Sequence, residues 1–491
     1  MRHGDDEGRK KGARFAKKRY LCSEKSTMDN KQTILELGTK PVGRLLWQYA
    51  FPSIVAMTAA SIYNIVDSIF IGQGVGPLAI SGLAITFPLM NITAAFGAAV
   101  GAGTSTCMSV KLGQRDYACA ERVLGNSMSL NIIISLVVGF TCLIFLDPIL
   151  RFFGASDNTL PYARDYMFVL LLFNVVAHLH HGMSGVLRAV SKPKAAMYIT
   201  ICAVLVNTLL DPLFIYAFDM GIRGAAIATM LAQGLGLTLQ LSILSNRREP
   251  LHLHRGIYKL YGDIVKNIVH IGLSPFLMNV CACTIVIIIN TSMVHYGGDL
   301  AVGAFGIANR VVFIFLMVNM GINQGMQPIA GYNYGAQRFD RLMRVLTYAI
   351  VSATAVTVVG FVIAVTIPDV CARLFTTDAE LAALSAHGIT FMAIMFPVVG
   401  YQVVITNFFQ SIGKANISIF LSLSRQLLFL LPMLLVLPPI FGIDGVWASM
   451  PAADALAAIV AAWIMGVYMR KFKRQHRELS YAGKEDNNQR G

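Results

Sequence analysis

The eight residues NTLLDPLF, from Asn207 to Phe214, place a carboxylate inside an apolar run that is long enough to cross a membrane. Asp211 follows Asn207 by one helical turn, so both side chains lie on one helix face. An ionised carboxylate in hydrocarbon costs roughly 2.5–3.5 kcal/mol on insertion scales, and such residues usually face a cavity that handles an ion or a substrate. Pro212 removes a backbone donor and predicts a kink that leaves carbonyl oxygens available near the carboxylate. The stretch therefore indicates the cation-coupling site of a secondary transporter.

The composition is typical of a protein that crosses the membrane many times. The chain has 491 residues, of which 55% are hydrophobic and 13% are charged, and its mean hydropathy is +0.61. A helix needs about 20 apolar residues to cross a bilayer. We predict an all-α integral membrane protein with twelve transmembrane helices. Their approximate bounds are 42–71, 78–106, 121–146, 161–187, 195–217, 222–246, 264–295, 300–330, 341–367, 379–408, 415–438 and 443–469.

The basic residues that give the chain its net charge of +14 are distributed as in membrane proteins. Basic residues are frequent in the N-terminal tail, in the even-numbered loops and after Arg470, but they are absent or single in the odd-numbered loops. Cytoplasmic loops carry the excess of Lys and Arg in membrane proteins. We therefore predict that both termini are cytoplasmic, that the chain contacts the lipid bilayer, and that it has no nucleic-acid partner.

The second half of the chain repeats the first at an offset of 222 residues. Gly113 recurs as Gly335, and Arg122-Val-Leu recurs as Arg344-Val-Leu. An even number of spans returns the chain to its starting side, so two six-helix bundles have parallel topology. Two similar bundles with a cleft between them suit alternating access by rocking. The predicted divisions are a basic tail over 1–40, a bundle over 41–246, an interfacial linker over 247–263, a second bundle over 264–469 and a tail over 470–491.

Three pairs of polar residues share helix faces in the outer half of the first bundle. The pairs are Tyr63 with Asp67, Asn207 with Asp211, and Thr229 with Gln233. A helical rise of about 1.5 Å per residue puts all three at a similar depth in the membrane. Their carboxylate, amide and hydroxyl oxygens suit Na⁺ or the capture of a proton. The alternative is an interhelical hydrogen-bond network that only holds the bundle together. We assign cation coupling to Asp67, Asn207, Asp211, Thr229 and Gln233, and a place in the adjoining cavity to Tyr63.

Span four contains a histidine cluster in NVVAHLHHGMSG. The helical period puts His178 and His181 on one face and turns His180 away. A metal site would need a third ligand and a supporting carboxylate, and the sequence offers none nearby. The remaining interpretations are a substrate-cavity or proton-relay role for His178 and His181, and polar packing.

The second bundle lacks the acids of the first. It holds Arg310, Arg425 and Asp454 instead. Arg425 and Asp454 lie about ten residues into two consecutive spans, which brings both to a similar depth. We interpret them as a structural ion pair and expect Arg310 to face the central cavity.

The collected motifs resemble the multidrug and toxic compound extrusion (MATE) family of the bacterial type over residues 40–470. The resemblance lies in PSIV and SIYNIVDSIFIG in span one, the KLGQRD loop, RAVSKPK before span five, NTLLDPLF, and GIRGAAIAT at the start of span six. It implies a V-shaped antiporter in the bacterial cytoplasmic membrane that expels organic cations against inward H⁺ or Na⁺. It also implies that Asp67, Asn207 and Asp211 belong to the cation site of the first bundle. Spans seven, eight and ten lack the acids that some branches of the family carry there.

Two other functions remain open at this stage. A lipid-linked oligosaccharide flippase would need a basic cavity for pyrophosphate, for which Arg310 and Arg425 are the candidates. An intramembrane enzyme would use His178 and His181 as a base or as metal ligands. We expect instead a monomeric transporter that is not an enzyme and has no cofactor or bound metal beyond the coupling ion. His252 and His254 in the linker are interpreted as solvated.

Overall fold

The chain folds into helices throughout the part that the computed structural model describes, which is residues 32–246, 249–254 and 256–490. The side chains of residues 64, 77, 299 and 479–490 are not described. No β-strand occurs among the described residues. Residues 1–31, including the possible translation start at Met28, lie outside them.

A short helix, α1, precedes the first bundle at residues 32–39. The helices of the first bundle pack as antiparallel neighbours joined by short loops. They are α2 (Val42–Gly74), α3 (Pro77–Gly113), α4 (Tyr117–Ile144), α5 (Leu146–Phe152), α6 (Leu160–Leu172), α7 (Asn174–Ala189), α8 (Pro193–Pro212) and α9 (Gly221–Leu244).

The second bundle repeats this order. Its first helix, α10, contains two spans joined at Gly298, where a φ of 71° requires the left-handed conformation that glycine tolerates. The helices are α10 (Gly262–Gly335), α11 (Phe339–Thr366), α12 (Pro368–Arg373), α13 (Ala379–Ala393), α14 (Phe396–Ser411), α15 (Ala415–Leu423), α16 (Leu431–Phe441) and α17 (Ile443–Arg490).

The predicted spans correspond in order to the observed helices. Among the described residues, ten helices are long and apolar enough to cross a membrane when the two parts of α10 are counted separately. The number rises to twelve if each of two bent pairs is one span. The pair α6 and α7 bends by 59°, and the pair α13 and α14 bends by 53°. Spans four and ten are therefore broken, which apolar run length could not predict.

Spans five and eleven each contain a π-helical segment. Pro212 keeps α-helical backbone angles (φ −63°, ψ −31°), and the segment Leu213–Ala217 follows it directly. Proline has no N–H to donate, so a wider turn relieves the local mismatch in the hydrogen-bond ladder. The predicted kink thus takes the form of a π-helical turn beside Asp211. The second segment, Ser424–Leu430, includes Arg425.

The hydrophobic core is divided into three clusters. The largest contains buried residues of both bundles, such as Met108 and Phe408. A second cluster, around Leu150, belongs to the first bundle alone, and a third, around Trp447, belongs to the second bundle alone. The bundles therefore share a core at one end and have separate cores at the other. We call the end with the shared core, which also carries α1 and residues 470–478, the terminal face, and the opposite end the open face.

Glycines allow the two bundles to approach closely at the terminal face. A methyl group at Gly272 would lie 2.2 Å from the carbonyl oxygen of Ala99, and one at Gly335 would lie 2.1 Å from that of Val110. Gln327 adds a polar contact, because its amide donates to Thr106 Oγ1 across the interface at 3.0 Å. Backbone-to-backbone contact of this kind is the usual way in which membrane helices pack tightly.

Helix α1 packs against the shared core at the terminal face. The side chains of Ile34 and Leu37 are at most 1% exposed in the shared core. The carbonyl groups at the C-terminal end of α1 accept hydrogen bonds from the second bundle: Asn333 donates to Leu37 at 3.0 Å, and Arg341 donates to Lys40 at 2.6 Å. Residues 32–39, which lie inside the segment predicted as tail, thus pack against both bundles.

The linker between the bundles lies against α4. The amide of Asn126 donates to the carbonyl of Lys259 at 3.0 Å and accepts from the backbone N–H of Tyr261 at 2.8 Å. Leu251 and Ile257 are buried. Tyr258 and Leu260 are each 44% exposed, so part of the linker's apolar surface is available for the predicted interfacial position at the inner leaflet.

Arg425 and Asp454 form an ion pair between the π-helical segment of span eleven and α17. Arg425 Nε lies 2.6 Å from Asp454 Oδ1, and their side chains are 34% and 10% exposed. Replacing one partner leaves the other charge without compensation in a poorly solvated place.

We expect Gly272→Ala to destabilise the purified protein by about 1–3 kcal/mol, because the added methyl group overpacks the interface with Ala99. Thermal unfolding in detergent measures this change. Gly306→Ala in the same helix is the control, since a methyl group there meets nothing within 4 Å. Equal unfolding midpoints for the two variants would contradict the close approach of the bundles.

We expect Asp454→Asn to lower both the yield of protein in the membrane and its unfolding midpoint. Breaking a fully buried pair costs about 3–5 kcal/mol, and the partial exposure of Arg425 reduces this cost. Asp444→Asn is the control on the same helix, because Asp444 pairs with His387 on the surface, where their side chains are 57% and 46% exposed. A structural role for Asp454 is excluded if its variant is as stable as the control.

Candidate functional site

Two carboxylates of the first bundle lie in one buried site between α2, α8 and α9. Asp211 is 0% exposed and Asp67 is 5% exposed. Asp211 lies one residue before the helix-ending Pro212 on α8, and Asp67 lies seven residues before the last residue of α2. Helix geometry therefore places both acids toward the open face, away from the shared core.

Hydrogen bonds join the residues of α8 and α9. Asn207 donates from Nδ2 to Asp211 Oδ1 at 3.1 Å and to Thr229 Oγ1 at 3.3 Å. The first contact follows from the spacing of one helical turn, and the second fixes α8 against α9. Asn207 and Thr229 are buried with the acids. The structure thus brings three of the predicted residues into direct contact.

Tyr63 and Asp67 extend the site to α2. The Tyr63 side chain makes a hydrogen bond with Thr229 and lies within electrostatic range of Asp67 and Asp211. Asp67 and Asp211 also interact electrostatically with each other. Two like charges so placed disfavour the state in which both are ionised without a cation between them.

Several oxygen atoms in the site have no hydrogen-bond partner among the described residues. They belong to both acids and to two amides, and neither acid takes part in an ion pair with a described basic residue. Buried oxygens without donors are costly unless something else satisfies them. A proton or a hard cation such as Na⁺ would do so, because both are bound by oxygen. The atoms are Asp67 Oδ1, Asp211 Oδ2, Asn207 Oδ1 and Gln233 Oε1.

Tyr166 is a member of the site that sequence reasoning missed. It lies on α6, is 2% exposed, and interacts electrostatically with Tyr63, Asp67 and Asp211. Its phenol is the kind of group that can donate to a carboxylate. Its position depends on the break between α6 and α7, so no periodicity in the sequence indicated it.

The three histidines of span four differ in burial. His178 and His180 are buried, at 2% and 8% exposure, whereas His181 is exposed. His181 Nδ1 lies 2.9 Å from the carbonyl oxygen of Ala177. His178 nevertheless interacts electrostatically with His181, and their common helix face stays a prediction. The burial of His180 beside them was not predicted.

The two basic candidates of the second bundle, Arg310 and Arg425, differ in their surroundings. Arg310 is exposed on α10. Arg425 is held by Asp454 in the ion pair described above. The charge of Arg425 is therefore already compensated within the second bundle.

Side chains of the two bundles meet in a layer of contacts, here called the floor, between the shared core and the open face. The rings of Phe96 and Phe276 pack across the interface with centroids 4.6 Å apart and planes tilted by 49°, and Gln324 Nε2 lies 3.3 Å from Met57 Sδ. Asp67 lies ten residues beyond Met57 on α2, which is about 15 Å farther toward the open face. The buried acids thus lie beyond the floor, inside the first bundle.

Comparison with known proteins agrees with this architecture. The multidrug export protein MepA of Staphylococcus aureus strain MSSA476 is 26% identical over 427 residues, which cover 87% of this chain and 94% of MepA. MepA of Staphylococcus haemolyticus is 25% identical over 424 residues, covering 86% and 93%. A solved structure described as the outward-facing conformation of a multidrug resistance MATE family transporter superimposes with a TM-score of 0.84 at 23% identity, covering 90% of this chain and 98% of that one.

The family model named MatE matches the chain twice, at residues 52–213 and 275–436. Each match falls in one bundle, which confirms the predicted repeat and the predicted fold of two six-helix bundles. The matches cover most of the chain and include the buried acids of α2 and α8. The chain belongs to the MatE family.

Proposed function

We propose that this transporter exports amphipathic organic cations in exchange for inward H⁺ or Na⁺. The observation that carries the proposal is the pair of buried acids, Asp67 and Asp211, which have no counter-charge among the described residues. The names of the similar MepA proteins support multidrug export. We expect the transporter to act as a monomer without a cofactor.

The terminal face is assigned to the cytoplasm. Its loops carry the excess of Lys and Arg, which in membrane proteins marks the cytoplasmic side. With this orientation the shared core closes the cytoplasmic end and the separate cores leave the cleft open to the outside. The described conformation is then outward-facing, ready to release substrate and to take up the coupling ion.

The coupling ion binds in the wall of the cleft in this proposal. Asp67 and Asp211 take up H⁺ or Na⁺ from the outside, which removes the repulsion between them. The ion-bound and ion-free states then differ in free energy, as a coupled exchanger requires. The π-helical segment Leu213–Ala217 lies directly after the site and is the place where α8 can change its hydrogen bonding.

The substrate binds in the cleft and not on the acids themselves. In the alternative arrangement, a cationic drug would compete with the ion for direct contact with Asp67 and Asp211. Exposures of 5% and 0% leave no surface for that contact in this conformation. The acids act instead through the position of their helices. Aromatic and thioether side chains at the floor, such as Phe96, Phe276 and Met57, can hold a flat cation by stacking and cation–π contact.

The alternatives have less support. A flippase for a pyrophosphate-linked lipid needs free basic side chains in the cleft, and Arg425 is neutralised by Asp454. Arg310 is then the one basic candidate left for a flippase. An enzyme that used His178 and His181 as metal ligands needs a third ligand, and the described residues offer none beside these two rings.

We expect Asp211→Asn to reduce ethidium efflux to the level of vesicles without the transporter, because an amide cannot release and rebind a proton or neutralise Na⁺. Efflux is measured in cells or inverted vesicles under imposed pH and Na⁺ gradients. Membrane expression should stay normal, since the amide can keep the hydrogen bond with Asn207.

The matched control is Asp219→Asn, in the exposed turn that precedes α9. Asp219 adopts a φ of 50°, a conformation that asparagine tolerates. The control should transport as the unmodified protein does. Full ion-driven efflux by Asp211→Asn would remove the basis of the proposed coupling. The gradient that drives efflux in the unmodified protein identifies the ion.

A further inference from the structure

We propose that Glu121, His252 and His254 form a binding site for a divalent transition-metal ion of the Zn²⁺ class at the terminal face. Glu121 lies in the first turns of α4, and the two histidines belong to the linker between the bundles. The site is separate from the buried acids and does not depend on the proposed transport function. It is a different arrangement from the solvated histidines that the sequence suggested.

The distances fit a metal ion. Glu121 Oε1 lies 3.5 Å from the Nδ1 atoms of both His252 and His254, and the potential ligand atoms of the three residues all lie within 4.8 Å of one another. Zn²⁺ binds imidazole nitrogen and carboxylate oxygen at about 2.0–2.2 Å, which separates tetrahedral ligand atoms by about 3.3–3.6 Å. The carboxylate is therefore already at ligand spacing from each ring. A small rotation of the rings completes the site.

The backbone holds the histidines in place before any ion binds. Leu253, the residue between them, donates its N–H to the carbonyl of Leu244 at the end of α9, at 2.8 Å. On either side, Leu251 and Ile257 are buried at 2% and 4% exposure. A His-x-His segment anchored in this way loses little conformational entropy when it binds a metal ion.

The basic side chains near the site contact other partners and do not pair with the three ligands. Arg122 follows Glu121 in sequence, but its guanidinium lies 5.1 Å from the centre of the Tyr261 ring. Lys192 pairs with Glu249. His252 Nδ1 is a buried nitrogen with no hydrogen-bond partner among the described residues, so a metal ion would satisfy an atom that is otherwise left without one.

Two neutral imidazoles and one carboxylate are a typical ligand set for Zn²⁺, with water in the fourth position. The side chains of the three residues are 23–44% exposed, so an ion can reach them from the solvent. Bound metal would attach the first half of the linker to the start of α4. The second half already contacts α4 through the hydrogen bonds of Asn126 with Lys259 and Tyr261, so the metal would join the whole linker to the first bundle.

The test is metal binding by the purified full-length protein, carried on an affinity tag without histidine and stripped with a chelator. Titration with Zn²⁺ alone, followed by calorimetry and elemental analysis, should give one high-affinity ion per chain. His252→Ala, His254→Ala and Glu121→Gln should each weaken binding at least about tenfold. His476→Ala, an exposed histidine at the same face, is the matched control and should bind as the unmodified protein does.

A second measurement separates coordination from a change in folding. Co²⁺ in place of Zn²⁺ should give the visible absorption of a tetrahedral nitrogen and oxygen site, which the His254→Ala variant should lack. Zn²⁺ should also slow tryptic cleavage after Lys259 in the unmodified protein but not in that variant. The proposal is overturned if the unmodified protein binds no more Zn²⁺ than the His252→Ala/His254→Ala double variant, or if Co²⁺ gives the same spectrum in both.

Discussion

A pair of carboxylates buried without a counter-charge is the constraint around which the first bundle is built. Burial of two like charges is unfavourable, and no described basic residue forms an ion pair with Asp67 or Asp211. The second bundle has the same architecture but places Arg425 against Asp454, which compensates its buried acid internally. One half of a duplicated fold thus keeps two buried acids without a described counter-charge, and this difference is the basis of the proposed cation site.

The second constraint is where the two bundles touch. Gly272 and Gly335 let the backbones of the two bundles meet at the terminal face. The carbonyl groups of α1 also accept hydrogen bonds from the second bundle. At the other end each bundle has its own core, so separating the bundles there exposes no shared apolar surface. In the proposed mechanism, this division lets the bundles rock about the terminal face, which opens and closes a cleft without unfolding either bundle. The proposed cation site lies in the open-face half of the first bundle.

Much of this arrangement could be predicted from the sequence. Apolar run length gave the spans, the offset of 222 residues gave the repeat, and helical spacing placed Asn207 beside Asp211. Tyr166 and the histidines of span four could not be placed, because a break inside a span changes which residues face inward and run length does not reveal it. The packing of residues 32–39 and of the linker was also hidden, since both depend on contacts with distant parts of the chain that local composition does not encode.

In the proposed mechanism Asp67 and Asp211 carry the coupling ion. The most direct test is to record ion movement across proteoliposome membranes during substrate transport, with pH-sensitive and Na⁺-sensitive dyes inside the vesicles. Ethidium moving one way should drive H⁺ or Na⁺ the other way in the unmodified protein, and the Asp67→Asn/Asp211→Asn double variant should move no ion in response to ethidium. Undiminished ion movement in the double variant would show that these acids do not carry the ion.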